Sequence, residues 1–532
     1  MEDLGKRSTT EAGETSATNS YDEIPYHDFP YSFTHIRHLE TMAVLFGMSP
    51  PDIREARVLE MGCAAGGNII PQAIDFPNSR FLGVDLSQRQ IEDGCRLIES
   101  LNLNNISLRQ ANILDIDESW GKFDYIIAHG VFSWVPAEVQ QHLLRVCSAN
   151  LAPNGVAIVS YNIYPGWRMA SVVRDLMQYH CAGFPDPRQR IAQAKAILEF
   201  LVSLDIGGPM GQLYRNELAA IKQINNDTYL FHEHLEDQNN PVYFHQFMQI
   251  AQSAGLQYLA DAEFSTMLLQ NAPPKVRETF SRLPLLQQEQ YLDFIRGRRF
   301  RKTLLCHENV ALKRDITPND IIGFHFALDG ACELADFVIR DESTAELRRG
   351  ASVLRSSQQL VKAACVYLKE ISPRYISFRD LYLTARARTQ AACRFPADHP
   401  ALSQEVLSSG LLTGISVGIF DFCLRPAQWV DRAGRAPAVR PLVRLQAEMG
   451  KALTNLCHRP VQLNDICRKL VLRLDGRHDR SSLIPCLKEA VDRGEIVVKQ
   501  RDKPLKNPPP EALAELLDQT LGEIAQARLL VQ

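Results

Sequence analysis

Two spacings of apolar residues divide the chain. From Arg57, apolar runs of strand length alternate with segments whose apolar residues recur every three or four positions. RVLEMG, RFLGVDL, ISLRQANI, FDYIIAHGV and GVAIVSYN read as strands. Asn68 to Ile74, Gln88 to Leu101 and Glu138 to Leu151 read as the helices between them. Regular alternation of this kind predicts an α/β fold with a parallel, doubly wound sheet. YIIA and AIVSYN are apolar on both faces, as strands covered on both sides must be. Ahead of the sheet, the aromatics and prolines of YDEIPYHDFPYSFTH lead into a helical pattern from His35 to Gly47. After YPGW, two helical stretches near 187–204 and 211–224 read as an insertion. YFHQFMQIAQSAGLQYLADAEF then returns to helix and strand, and RRFRKTLLCH supplies one more strand, which carries the sheet domain to about residue 312.

The last two hundred residues have another pattern. LVKAACVYLKEISPRYISFRDLYLTAR and LTNLCHRPVQLNDICRKLVLRLDGRHDRSSLIPCLKEAVDRGEIVV share an outline of helix, short strand-like joint and further helix. The second closes on the strand GEIVV. Both outlines resemble a winged helix, so the expected C-terminal modules span 313–435 and 436–532. The prolines at 508–510 cannot lie inside a helix, so they end a linker before a terminal helix. A disordered tail over 1–20 and a lid or strap over 21–55 precede the sheet domain of 56–312.

Composition narrows the classes. A chain of 532 residues is too long for a single core. Hydrophobic residues make up 45% and charged residues 23%, the balance of a globular protein. A net charge of −4 argues against a protein built to coat nucleic acid. The 12 cysteines form no CxxC pair and sit in apolar runs, which suits a reduced, cytoplasmic protein. No apolar run approaches the roughly 20 residues of a membrane span. The polar N-terminus lacks a signal-peptide apolar region.

The candidate chemistry lies in RVLEMGCAAGGNII at 57–70. A dinucleotide turn is G-x-G-x-x-G, its second Gly admitting the pyrophosphate. Here Ala64 takes that position, and its methyl would crowd a pyrophosphate. Glu60, two residues before Gly62, would repel phosphate but suits the ammonium group of an amino-acid tail. Asp85, ending the second strand, suits both ribose hydroxyls. Asn112 and Ile113, ending the third, suit an adenine edge and ring. No GK[ST] follows the loop. The ligand so described has an adenosine, a ribose and a cationic amino-acid tail without phosphate, and S-adenosylmethionine fits it.

The arrangement is similar to class I S-adenosylmethionine-dependent methyltransferases over roughly residues 55–310. In that family the acidic and glycine positions of the first turn fall on Glu60, Gly62, Ala64 and Gly66, with Ala64 departing from the commonest Gly. YDEIPYHDFPYSFTH, CAAGGNIIPQA, HGVFSWVP, SYNIYPGW and HEHLEDQNNPVYF resemble bacterial methyltransferases that carry a methyltransferase regulatory domain, the rickettsial protein-lysine methyltransferases among them. The resemblance implies a Rossmann-like sheet of seven strands, a helical insertion over about 165–230 and a regulatory region over about 215–300. It also implies a protein substrate with lysine as acceptor, a surface or outer-membrane protein met before export, and no metal. A small-molecule O- or N-methyltransferase and a non-catalytic binding scaffold are the alternatives. A homodimer is left open, and neither nucleic acid nor membrane insertion is expected.

The expected cofactor-binding set is Glu60, Gly62, Cys63, Ala64, Gly66, Asp85, Leu86, Asn112, Ile113 and His129, joined by Tyr31 and Thr34 of the strap. His129 ends the fourth strand, on the edge where doubly wound sheets hold ligands. Aromatic residues of FSWVP and YNIYPGW stand above the same edge, where ring faces exclude water and favour cations. Tyr161, Asn162 and Trp167 are the expected acceptor-orienting residues. FHEHLED tempts a metal reading, but His232 and His234 share a face only in a strand, and hydrogen bonding fits better. The basic run RGRRFRK reads as a solvated strand edge or as salt bridges to the C-terminal region rather than a nucleic-acid groove.

Overall fold

A computed structural model describes residues 28–224, 226–335, 337–494, 499–500, 503–504 and 508–531. The expected tail over 1–20, the strap before Asp28 and Glu495 to Val498 of the expected GEIVV strand lie outside the described residues.

The sheet has seven strands in the order β3-β2-β1-β4-β5-β7-β6. They are β1 (Arg57–Met61), β2 (Arg80–Asp85), β3 (Ile106–Gln110), β4 (Phe123–Ala128), β5 (Leu151–Asn162), β6 (Leu256–Asp261) and β7 (Phe300–His307). β1 to β5 pair in parallel. The chain runs outward from β1 to β3, then restarts at β4 on the other side of β1. That reversal opens a crevice beyond the C-terminal ends of β1 and β4, where doubly wound sheets take ligands.

The expectation of a wholly parallel sheet is corrected at β7, which runs antiparallel to both β5 and β6. The helix Leu285–Arg296 ends on Gly297 in the left-handed conformation. That turn delivers Arg298 and Arg299 to the edge where β5 finishes, and their carbonyls accept from the N–H groups of Gly166 and Ile163 at 3.1 and 2.9 Å. A strand that starts where its neighbour ends can only run back along it.

The core of the sheet continues into the region after it. Strand His325–Leu328 lies between Ile376–Ser377 and Phe420–Cys423, antiparallel to both. Phe422 of the strand Phe420–Cys423 passes contact on to the sheet domain: its ring is 6.1 Å from Phe264, and Phe264 is 6.2 Å from Phe46. Arg425 donates to Glu40 at 3.0 Å, on the helix Ile36–Leu45. The residues from Val439 to Leu530 hold a separate core under the helices Pro441–Glu448, Asp465–Val471, Arg480–Asp492 and Pro510–Gln526. Val173 to Glu236 belong to a second compact unit, helical, with its own core of Val173, Met177, Leu198 and Phe231 among others. Among the described residues no helix is long and apolar enough to cross a membrane.

The basic run at 296–302 corrects a further expectation. Arg301 is fully buried. It donates to Asp293 at 2.9 Å and Glu289 at 2.8 Å, and its guanidinium lies 3.9 Å over the ring of Phe244. Arg298 donates to Asp261 at 2.9 Å. The partners are thus β6 and the helix Leu285–Arg296, inside the sheet domain, and not the C-terminal region. Alternation along β7 turns Arg301 inward, where only a carboxylate cluster can offset its desolvation. Arg301→Met is expected to leave Glu289 and Asp293 buried without that cation and to cost about 3–5 kcal/mol, read as a lower urea midpoint.

Candidate functional site

The loop after β1 is built on backbone that side chains rarely allow. Gly62 has a φ of +75°, and a Cβ there would lie 2.2 Å from Val131. The N–H groups of Gly62 and Cys63 both reach the carbonyl of Val84, at 2.8 and 3.0 Å, tying the loop to β2. Ala64 follows with a φ of +50°, a left-handed conformation that costs an L-residue free energy. Its N–H donates to Asp85 Oδ2 at 2.9 Å. Cys63 is buried, and burial pushes its thiol well above the usual range.

Glu60 is 3% exposed at the end of β1. Its Oε1 accepts from Asn68 Nδ2 at 2.6 Å, while Oε2 is buried and takes no hydrogen bond among the described residues. Burial above all, with Asp28 and Asp85 adding to it and the Asn68 hydrogen bond opposing it, pushes the carboxyl up to about 8. Asp28 accepts from the Gly67 N–H at 2.6 Å, and burial raises it to about 6. Three carboxylates therefore surround one loop. A cationic ammonium at Glu60 Oε2 would relieve both the orphaned acceptor and the mutual repulsion, so the donor set fits an amino-acid tail.

The side of the crevice beyond β2 and β3 is open. Leu86 is 56% exposed. Asn112 is exposed and caps the next turn, its Oδ1 accepting from the Leu114 N–H at 3.0 Å, which leaves its amide NH2 as the donor for a base edge. Ile113 is half-buried beside it. Asp85 is half-buried at the end of β2.

The strap closes the other side. The Tyr31 N–H donates to Asn68 Oδ1 at 3.0 Å, and the Thr34 hydroxyl lies 2.9 Å from the same atom. The rings of Tyr31 and Phe33 stand 4.0 and 5.0 Å from His129, edge to face. His129 Nδ1 is 2.7 Å from Ser160 Oγ, and burial pushes the imidazole down to about 3, so it is uncharged at neutral pH. A Cβ on the neighbouring Gly130 would meet nothing within 4 Å, so open space begins there.

The three expected acceptor-orienting residues are not gathered on this face. Tyr161 is 1% exposed, its ring stacked on Phe247 at 4.0 Å and its hydroxyl 2.9 Å from Thr303 Oγ1. The reason is strand parity: β5 runs through Asn162, so Ser160 faces His129 and Tyr161 faces the opposite layer. Asn162 is buried and spends its amide on Asn239 Oδ1 at 3.1 Å and its N–H on Ser133 Oγ at 2.8 Å. Trp167 is 5% exposed in the first turn of the helix Gly166–Cys181. Tyr164 lies among them with the Arg168 guanidinium 3.9 Å over its ring and Tyr243 at 5.3 Å. FHEHLED forms a π-helical turn, Phe231–Leu235, in the helical unit. The described residues contain no group of three potential metal ligands. Sequence reasoning missed Asp28, Asn68 and Ser160. Asn68 alone carried a signal, an amide at a helix start next to the loop.

Comparison with known proteins agrees with this geometry. A methyltransferase domain model matches residues 59–157, and a predicted methyltransferase regulatory domain matches 226–307. A model of the PKMT C-terminal winged helix domain matches 436–529. An uncharacterized protein of Rickettsia prowazekii is 36% identical over 516 residues, covering 93% of this chain and 90% of that one. The solved structure of PKMT2 from Rickettsia typhi is similar at 28% identity and a TM-score of 0.84, over 95% of this chain and all of that one. PKMT2 in complex with AdoHcy gives 29% identity and a TM-score of 0.83, over 96% and 100% of the two chains. The chain belongs to this methyltransferase family. S-adenosylmethionine is its cofactor.

Two predictions follow from the loop. Glu60, near 8 in the free protein, is mostly protonated at pH 7 and must ionise as an ammonium settles on it. AdoHcy binding at pH 7 should therefore release up to one proton and tighten as pH rises from about 6 to 8. Calorimetry in buffers of different ionisation enthalpy measures this, and Glu60→Gln should abolish the release and weaken binding at least about tenfold. Ala64→Gly should relieve the left-handed strain and stabilise the protein by about 1 kcal/mol, read from denaturant melts.

Proposed function

We propose that this methyltransferase acts on lysine side chains of a protein substrate, in the cytoplasm, as a monomer or homodimer. The observation that carries the reading is the full-length likeness to a PKMT2 structure, including its C-terminal winged-helix domain. PKMT abbreviates protein-lysine methyltransferase. The rickettsial relatives favour a surface or outer-membrane protein, met before export, as the target.

The residues divide the work simply. Bound in the crevice, S-adenosylmethionine supplies an already activated methyl group for in-line displacement. Glu60 would take the ammonium, Asp85 the ribose hydroxyls, and Leu86, Asn112 and Ile113 the adenine. Ala64 and Gly66 shape the loop, and Gly62 keeps it clear of Val131. The chain then has to orient the acceptor and exclude water. Tyr31, held against an uncharged His129, offers a ring face that attracts an incoming ammonium and sheds water, while the Phe33 ring already carries Lys302 Nζ 4.3 Å above it. A lysine, near 10.4 in water, must lose its proton before it attacks. An uncharged His129 adds no positive charge to oppose the arriving cation, and no side chain is needed as nucleophile. Asn162 and Trp167 support this edge from beneath by fixing the start of the helix Gly166–Cys181 and the segment at Asn239 and Asn240.

The test uses purified protein, methyl-labelled S-adenosylmethionine and lysate of the source cell, split into macromolecular and small-molecule fractions. Label in protein, recovered as methyllysine after acid hydrolysis, is the expected result. Label confined to small molecules would overturn the lysine reading and favour a metabolite methyltransferase.

A further inference from the structure

The cofactor site has a contributor from far along the chain. In the winged-helix domain, Leu453–Thr454 pairs with Pro460–Val461 in a short antiparallel hairpin. Its tip is tightly tied. Asn455 Oδ1 accepts from the N–H groups of Cys457 and Arg459, each at 3.0 Å, and the His458 N–H donates to the Asn455 carbonyl at 3.0 Å. Leu456 N–H donates to the Arg528 carbonyl at 3.0 Å, which fixes the tip to the chain after the terminal helix. His458 has a φ of +57°, a conformation that glycine or asparagine would hold more easily.

That side chain is 4% exposed, and its Nε2 lies 2.9 Å from Asn68 Oδ1. A lone-pair count on Asn68 shows what this does. Its NH2 faces Glu60, so its Oδ1 is the acceptor side. The Tyr31 N–H and His458 Nε2–H occupy the two lone pairs. The Thr34 hydroxyl, 2.8 Å from the Tyr31 carbonyl and 2.9 Å from Asn68 Oδ1, shares its proton between the two. Donors on both lone pairs forbid the flipped amide, which would turn an oxygen toward the Glu60 carboxylate. The imidazole is a neutral donor, because burial first, and His35, Arg37 and Arg440 after it, hold it uncharged. The seat of the tip is itself secured. Arg440 of the same domain pairs with Asp75, which also meets His35 and Arg37 at 3.3 Å. The His35 ring stands 4.8 Å from His458.

We propose that His458 is a positioning residue for the cofactor site: through Asn68 it fixes the Glu60 carboxylate that receives the amino-acid tail of S-adenosylmethionine. The winged-helix domain is then part of the cofactor site and not only an appended module. The inference rests on the cofactor site and is independent of the acceptor, so it stands if the lysine reading fails.

AdoHcy binding to the full chain tests it by calorimetry, with no acceptor needed. His458→Ala should weaken binding about tenfold, and His458→Gln, which returns a nitrogen donor at similar reach, should recover most of that loss. His458→Leu fills the space without a donor and should bind as weakly as the alanine variant. With any acceptor that takes label, KM for S-adenosylmethionine should rise while kcat holds. Equal rescue by Leu and Gln would show that packing alone matters, and wild-type affinity in His458→Leu would do the same; either overturns the proposal. If His458→Ala fails to fold, the Gln and Leu variants still decide it.

Discussion

A buried carboxylate with one oxygen bound and the other without a hydrogen bond among the described residues is the constraint on which this structure turns. Glu60 sits where β1 ends, 3% exposed, among Asp28 and Asp85. An ionised carboxylate in such a place is expensive, and the group responds by holding its proton. The surroundings do not repair this. They hold the acid in place and leave Oε2 for a cation. The free site is less stable than an apolar substitute would be, and the bound cation offsets the deficit. Affinity is thus stored as local destabilisation of the fold.

The sheet topology explains why this group and no other is so placed. The reversal between β1 and β4 opens the crevice, and β1 is the strand whose C-terminal end lies at its centre. The loop that follows must turn tightly enough to leave that end uncovered. Gly62 and Gly66 meet this need with positive φ values, and Ala64 meets it under strain. Asp85 holds the strained residue through its N–H, so one carboxylate serves both the loop and, in the proposed reading, the ribose.

The parts of the site that the sequence revealed are those set by local order. Glu60, Gly62, Gly66 and Asp85 occupy fixed places at strand ends, so a strand reading locates them directly. Asn112 was readable for the same reason, as the second residue past a strand and a natural cap. The misreadings came from strand parity and from long-range pairing. β5 ends on Asn162, as GVAIVSYN suggests, and parity along it sends Tyr161 into the core, away from the face of Ser160 and His129. Arg301 lies in a basic run that resembles a solvated edge, yet its partners Glu289 and Asp293 precede it on a helix whose return direction the sequence does not state. Asp28 and His458 have no local signal, because each acts only where the chain folds back onto the loop.

Those non-local contacts also bear on how the protein is held together. Asn68 joins three segments distant in sequence: the strap through Tyr31, the loop through Glu60 and the winged-helix domain through His458. An amide suits that place because it is donor and acceptor in one rigid plane, so fixing its oxygen fixes its nitrogen. An aspartate could bind the strap and His458 but would repel Glu60, and a serine could not span both sides. The site is accordingly no property of the sheet domain alone. Its sharpest feature, the orientation of one buried acid, is set by chain that lies before and after the fold that bears it.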